Sequence, residues 1–314
     1  MSFHHIPVLF PEVMEWMHAI PGGVYLDGTL GGGGHSEGIL ESCGGRCTLY
    51  GIDRDPSARE AAGRRLSRFP SFHALAGNFH DARAILVSVG VQALDGALLD
   101  LGVSSPQLDQ GERGFSYHVD APLDMRMDPT QRLSAREIVN TYPEKELTRI
   151  LEDYGEEKWA ARISRIICEH RAQNPLETTM DLVRCVDAAI PRKIRARDDG
   201  HPARRTFQAI RIAVNDELDP LDQALCDLVD MLRPGGRLLV ITFHSLEDRI
   251  VKRCFQRLQH PCICPPKAPI CTCGRKPSIR ILGGGAIKPS QEEICENPRS
   301  RSSILRVCEK REVM

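Results

Sequence analysis

The amino-acid sequence predicts an α/β fold, a mainly parallel sheet flanked by helices and interrupted by an all-helical insertion. Three observations predict it. Short apolar runs alternate with helical patterns through the first hundred residues, the spacing of βαβ units. A run of four glycines follows the first of those strands and opens a helix. Then, beyond a long stretch of helical period, a strong apolar run at 237–243 follows a Pro-Gly-Gly turn and resumes the sheet. The expected division is residues 1–110 and 206–314 for the sheet domain and 111–205 for the insertion.

In chain order, Val24-Tyr25-Leu26-Asp27 reads as the first strand, followed by glycines 31–34 and a helix from Ser36. Residues 48–53 form a second strand ahead of an Arg- and Ala-rich helix, and Asp55 before Pro56 reads as that helix's cap. Residues 72–75 are a weaker third strand and 94–100 a fourth. Residues 109–128, rich in Gly, Asp and Met, show no clean period. From Ser134 to Ile190 the pattern is helical, and segments 144–151 and 158–170 place apolar residues at i, i+3, i+4 and i+7. Residues 192–205 carry six Lys/Arg and two Asp and read as an exposed basic loop. Helices over 207–217 and 220–232 lead to Arg233-Pro234-Gly235-Gly236 and the late strand.

Charge and composition exclude several classes. The formal net charge is -1, so no global field recruits a polyanion, and any nucleic-acid contact rests on local patches. Residues 1–128 hold 9 Lys/Arg against 16 Asp/Glu, whereas 249–314 hold 14 against 5, which marks the C-terminal segment as basic. The longest core-like apolar run, Leu238-Leu239-Val240-Ile241, is far short of a membrane span. The start shows neither a basic nor an apolar leader region. The expectation is a soluble cytoplasmic protein without a membrane partner.

Of the 12 cysteines, Cys168, Cys185 and Cys226 lie in helical contexts and read as small buried hydrophobes. A disulfide framework is not expected without an export signal. Cys262, Cys264, Cys271 and Cys273, inside the basic segment 254–314, supply four thiolates within 12 residues, a sufficient shell for structural zinc. C-x-C is less typical of zinc than C-x-x-C, and the intervening prolines restrict closure, so reduced surface thiols are the alternative.

The chemistry centres on residues 27–36. Glycines there permit positive φ and close backbone approach, and helix N-terminal N–H groups face whatever binds. Nicotinamide, flavin and S-adenosylmethionine proteins all use such a loop; the plain alternative is a tight turn without a ligand. Asp53 ends the second strand about 20 residues later, where a carboxylate accepts hydrogen bonds from ribose hydroxyls. The turn and strand at 232–241 resemble those of class I S-adenosylmethionine-dependent methyltransferases. The G-x-G-x-x-G with a Tyr/Lys or His/Asp pair, usual in nicotinamide dehydrogenases, is not found.

Taken together, His5-Ile6-Pro7-Val8-Leu9 with Glu12-Val13, segments 27–36, 51–56 and 77–79, residues 99–109, 113–116, 124–128, 206–218 and 243–249 resemble one family in order along nearly the whole chain. It is the bacterial RsmH (MraW) family of small-subunit ribosomal RNA cytosine-N4 methyltransferases. The resemblance implies a class I, Rossmann-like methyltransferase domain with an inserted helical domain and S-adenosyl-L-methionine as cofactor. It places that cofactor on Gly33, Gly34, His35, Asp53, Phe79, Asp100 and Gln107, with Phe79 against the adenine; read from the residues alone, Phe79 is equally a core anchor. It implies N4-methylation of a cytidine in the decoding region of 16S rRNA, within the assembled small subunit, by a monomer or homodimer.

Cytosine N4 is a poor nucleophile because its lone pair is delocalised into the ring, so an acceptor for its N–H bonds and tight placement carry the reaction. Asp100 and Ser105 are the expected acceptors, and His244 is the alternative base. Residues 101–107 resemble the Asp/Asn/Ser-Pro-Pro-aromatic loop of other amino methyltransferases but end in Gln107, which leaves base stacking to Phe115, Tyr117 or Phe243. Asp124 and Asp128 with Arg113 and Arg126 read either as a lid or as a polar clasp between sheet domain and insertion. Arg192, Lys193, Arg195, Arg204 and Arg205 are expected to grip phosphates. Two readings from other classes are a non-catalytic RNA-binding scaffold and a nicotinamide oxidoreductase.

Overall fold

The computed structural model describes residues 7–104, 107, 110–195, 201–265 and 270–312. It divides into two compact units, Met1–Gly102 with Leu218–Met314, and Val103–Glu217. The first unit begins with α1 (Phe10–Met17), β1 (Val24–Asp27), α2 (Gly34–Ser42), β2 (Thr48–Asp53), α3 (Pro56–Arg65), β3 (Phe72–Ala76), α4 (Ala82–Ser88) and β4 (Leu94–Asp100). Asp55 caps α3 as predicted, its carboxylate accepting the Ser57 N–H at 3.0 Å, and Pro56 opens the helix. Helix α2 starts two residues before Ser36 because Gly33, at φ 77°, serves as its N-cap. A Cβ on Gly33 would stand 3.2 Å from both Ala62 and Leu66, so that turn requires glycine on both counts.

The regular structure described in the second unit is mainly helical: α5 (Ala135–Thr141), α6 (Glu144–Gly155), α7 (Ala160–Arg171), α8 (Thr179–Ala189), the short α9 (Arg192–Arg195) and α10 (Arg204–Asn215), preceded by an irregular stretch over 114–134 whose Pro122 bridges to Thr178. Its core draws Ile138, Ile150, Ile163, Leu182 and Phe207 from five of these helices. The unit extends further at both ends than the 111–205 expected. The physical reason at its far end is α10, whose Phe207, Ala209, Ile210 and Val214 are buried in the helical core and not against the sheet. The crossing of α10 with α6 is close enough that a Cβ on Gly155 would meet the Arg205 carbonyl at 2.8 Å.

The chain returns to the first unit through α11 (Leu221–Met231), β5 (Leu232–Thr242), α12 (Ser245–Gln259), β6 (Ile279–Ile281), α13 (Gln291–Glu296) and β7 (Ile304–Lys310). The seven strands lie in the order β3-β2-β1-β4-β5-β7-β6. All pairs from β3 to β5 are parallel, and β7 runs antiparallel to both its neighbours. This is the doubly wound order 3-2-1-4-5-6 with one reversed strand slipped in before the last. Alternation along the strands feeds two cores. Ala97, Leu99, Leu238 and Val240 face α4, α11 and α12, while Leu98, Leu239 and Ile241 face α1, α2 and α3. The Pro-Gly-Gly turn survives as a bulge within β5: Leu232 pairs with Leu94 and Arg237 with Gly96, so Arg233–Gly236 stand opposite Asp95 alone. The Arg233 guanidinium closes the bulge on Asp95 at 2.7 Å.

Candidate active site

Three parallel strands end in carboxylates, Asp27 on β1, Asp53 on β2 and Asp100 on β4, at the sheet edge where open α/β folds bind ligands. Asp27 is 2% exposed; it accepts the Ser36 hydroxyl at 2.7 Å and the Thr29 N–H at 3.2 Å, and burial pushes its pKa up to about 6. It ties the glycine loop to the start of α2. Sequence reasoning gave Asp27 no role of its own, because its partner Ser36 lies nine residues along a loop whose path only the fold reveals.

Asp53 accepts the Gly31 N–H at 2.8 Å through one oxygen and the Asp55 N–H at 2.9 Å through the other. Burial raises its pKa, opposed by those two backbone donors. Each oxygen keeps a lone pair for a further donor. Gly33 and Gly34 form the turn into α2, and the cap offers no side chain, so the first N–H groups of the helix are available to an anion. His35 is buried, its Nε2 donating to the Val8 carbonyl at 2.9 Å, which leaves Nδ1 facing Asp100 Oδ2 at 3.7 Å.

Asp100 is the anomaly of the edge. Its Oδ1 is buried and has no hydrogen-bond partner among the described residues. Burial, with the charges of Asp27 and Glu247 adding to it, pushes its pKa up to about 8. A buried carboxyl oxygen without a partner among the described residues suits a donor or a cation.

Phe79 opens a short helical turn held by Asn78 and is 8% exposed, with its ring edge-on to His80 at 4.1 Å. It belongs to the core beneath the sheet edge. His80 is itself half-buried, and the loss of solvent around its ring lowers its pKa to about 4.

His244 is the N-cap of α12: its Nδ1 accepts the Glu247 N–H at 3.4 Å, and Nε2 lies 3.0 Å from Glu247 Oε1 without hydrogen-bond geometry. Glu247 Oε2 in turn accepts the Phe243 and His244 N–H groups, which completes a capping box. The ring reads as a cap, a role the expectation of a base did not include. Gln107 belongs to the second unit, where its Oε1 accepts the Ser104 N–H at 3.1 Å. Ser105 lies outside the described residues.

Of the aromatic residues expected to stack on a base, Phe115 is buried in the helical core, and Tyr117 stacks on His201 at 4.7 Å. Phe243 follows β5 and is half-buried beside Gly102, where a Cβ would meet it at 3.6 Å. Arg113 and Arg126 bond inside the second unit: Arg126 forks onto Asp124 at 2.8 and 2.7 Å, and Arg113 donates to the Arg126 and Met127 carbonyls. Asn215 pins the same segment through Met125 and Met127. Arg192 and Lys193 are exposed on α9, Arg204 is exposed and Arg205 half-buried in the first turn of α10, and the Arg195 side chain lies outside the description. The four grouped cysteines bring their sulfurs within 4.8 Å of one another. Among the described residues no helix is long and apolar enough to cross a membrane.

Comparison with known proteins agrees along the whole chain. The model of the MraW methylase family matches residues 2–311. Ribosomal RNA small subunit methyltransferase H of Heliobacterium modesticaldum is 52% identical over 312 residues, covering 99% of both chains. The same-named protein of Symbiobacterium thermophilum is 52% identical over 98% of this chain and 96% of its own length, and that of Clostridium botulinum (strain Kyoto / Type A2) 51% over 99% and 100%.

Proposed function

Since this chain belongs to the MraW methylase family and is therefore an S-adenosylmethionine-dependent rRNA methyltransferase, we propose that it methylates N4 of a cytidine in the decoding region of 16S rRNA, within the assembled small subunit in the cytoplasm. The observation that carries the site assignment is the acidic sheet edge with the buried Oδ1 of Asp100, which has no hydrogen-bond partner among the described residues.

The residues present fit the cofactor. Asp53 has free lone pairs for two ribose hydroxyls, and the uncapped start of α2 at Gly33, Gly34 and His35 suits a carboxylate. Phe79 offers an apolar wall for a purine. Asp100, protonated for want of a counter-charge, suits a cation. When bound, S-adenosylmethionine supplies an electrophilic methyl group on a sulfonium centre.

The protein's own share is placement and proton handling. A positive charge near Asp100 favours its carboxylate form, and Oδ1 then accepts an N–H of the cytosine amino group, which keeps nitrogen electron density on N4. Ser105 is assigned to the same acceptor role from the sequence alone. With its ring engaged in the α12 cap, His244 acts as a positioning residue for Phe243, the aromatic residue we assign to the flipped base. The proton leaves to solvent, since the product cation is acidic.

RNA is held by basic segments. Arg204 and Arg205 occupy the first turn of α10, where the helix dipole disfavours positive charge, so their placement there suits phosphate binding better than stability. Arg192, Lys193 and Arg195 of α9 extend that patch along the sequence.

The test is transfer of labelled methyl from S-adenosylmethionine to small ribosomal subunits from cells lacking this protein, with nucleoside analysis of the product. Label in N4-methylated cytidine is expected. Label in another nucleoside overturns the target, and label on naked 16S rRNA but not on subunits overturns the assembled substrate.

A further inference from the structure

The loop joining α12 to β6 is tied at its ends, and none of its described residues between those ties is buried in a core. Ser278 N–H donates to the Leu258 carbonyl at 3.1 Å, and Gln259 Oε1 accepts the Ile281 N–H at 2.6 Å. Between them, none of the described residues from 260 to 278 is buried, and Ile263 and Ile270 are 66% and 74% exposed. Apolar packing therefore cannot fix this segment.

Four sulfurs converge there instead. Sγ–Sγ separations are 3.5 Å for Cys271–Cys273, 3.6 Å for Cys262–Cys271, 3.8 Å for Cys262–Cys273 and 3.9 Å for Cys264–Cys271. They are far longer than a disulfide bond of about 2.05 Å. Four sulfurs each about 2.3 Å from one ion at the corners of a tetrahedron stand about 3.8 Å apart, the value these separations straddle.

We propose that Cys262, Cys264, Cys271 and Cys273 bind a single zinc ion that braces this loop. Soft thiolates in a tetrahedral set of four select zinc among the common divalent ions, and four protein ligands leave no open position, so the ion is structural. The Thr272 N–H donates to Cys264 Sγ at 3.3 Å, the kind of backbone contact that steadies a metal thiolate. The brace substitutes for a missing core and holds exposed Arg275 and Lys276 in fixed register with β6.

Full-length protein purified without chelator and supplied with zinc is expected to carry one equivalent by elemental analysis. X-ray absorption should show four sulfur neighbours at about 2.3 Å. Replacing Cys264→Ser with Cys271→Ser should lower zinc occupancy at least about tenfold. The exposed Cys295→Ser, outside the cluster, should keep full occupancy. Hydrogen exchange should rise across 260–278 when zinc is lost, with the sheet unchanged. Wild-type protein holding under about a tenth of an equivalent overturns the proposal, as does iron or a disulfide in place of zinc, or full occupancy in the double variant.

Discussion

Asp100 sets a pH dependence that can be measured without substrate. Its folded pKa of about 8 exceeds the ordinary carboxyl value of 3.8, so between those values the folded state keeps a proton that the unfolded chain has released. Stability therefore falls as pH rises through that window and levels off above it. Asp100→Asn should gain melting temperature relative to wild type steadily from about pH 4 to about pH 8, with no further gain above. Parallel profiles for the two proteins would show Asp100 to be ionised throughout. Cofactor affinity of the wild type is expected to rise with pH through the same window, and the same substitution should flatten that rise. Asp53→Ala should weaken cofactor binding by at least about 100-fold, since charge-assisted hydrogen bonds to two hydroxyls contribute about 1.5–3 kcal/mol each; calorimetry showing unchanged affinity would mean the site lies elsewhere. Asp53 was legible in the sequence because a strand-end carboxylate at that distance from a glycine loop has a chemical meaning. The unusual state of Asp100 was not, because it arises from burial beside Asp27 and Glu247, residues brought near only by folding.

Helix termini carry the next set of expectations. The first turn of α10 holds Arg204 and Arg205, whereas α6 opens with Glu144 and Glu146 in accord with its dipole. Arg204→Ala should weaken RNA binding across sequences and lower the salt slope by about 1, while leaving cofactor affinity unchanged and stability equal or slightly higher. A loss of cofactor binding in that variant would place Arg204 in the wrong site. At α12, His244→Ala should cost about 1 kcal/mol by removing the cap, and His244→Asn should recover most of it. Chemical denaturation reads the stability. If His244 were instead the base, the pH profile of methyl transfer would change in both variants alike. The apolar periods of α6, α7 and α8 were readable along the chain because each buries one face in a local helical core. The membership of α10 was not, since its apolar stripe fits a sheet or a helical core equally, and only the Gly155 crossing decides it.

For the whole molecule, alternation of strand and helix made the parallel sheet legible, and the break in that alternation made the insertion legible. The place of β7 was hidden: antiparallel insertion between β5 and β6 follows from pairings across the sheet, and no local pattern specifies it. Because β7 supplies Leu305 and Val307 to one core and Cys308 to the other, deleting residues 304–312 should collapse the first unit. The second unit has a core of its own, so limited proteolysis of the truncated chain should leave a resistant fragment spanning roughly 103–217. Complete digestion would show that the helices depend on the sheet.

The seat of β7 between β5 and β6 also has a consequence in time. A ribosome synthesises this chain from its N-terminal end, so β1 to β4 emerge early, and β4 then waits through the entire helical unit for β5. Even then β5 keeps an open edge until the last strand in the chain order arrives to cover it. The helical unit, with its local contacts, closes before the sheet that carries the acidic edge, which is finished only after β7 has been made.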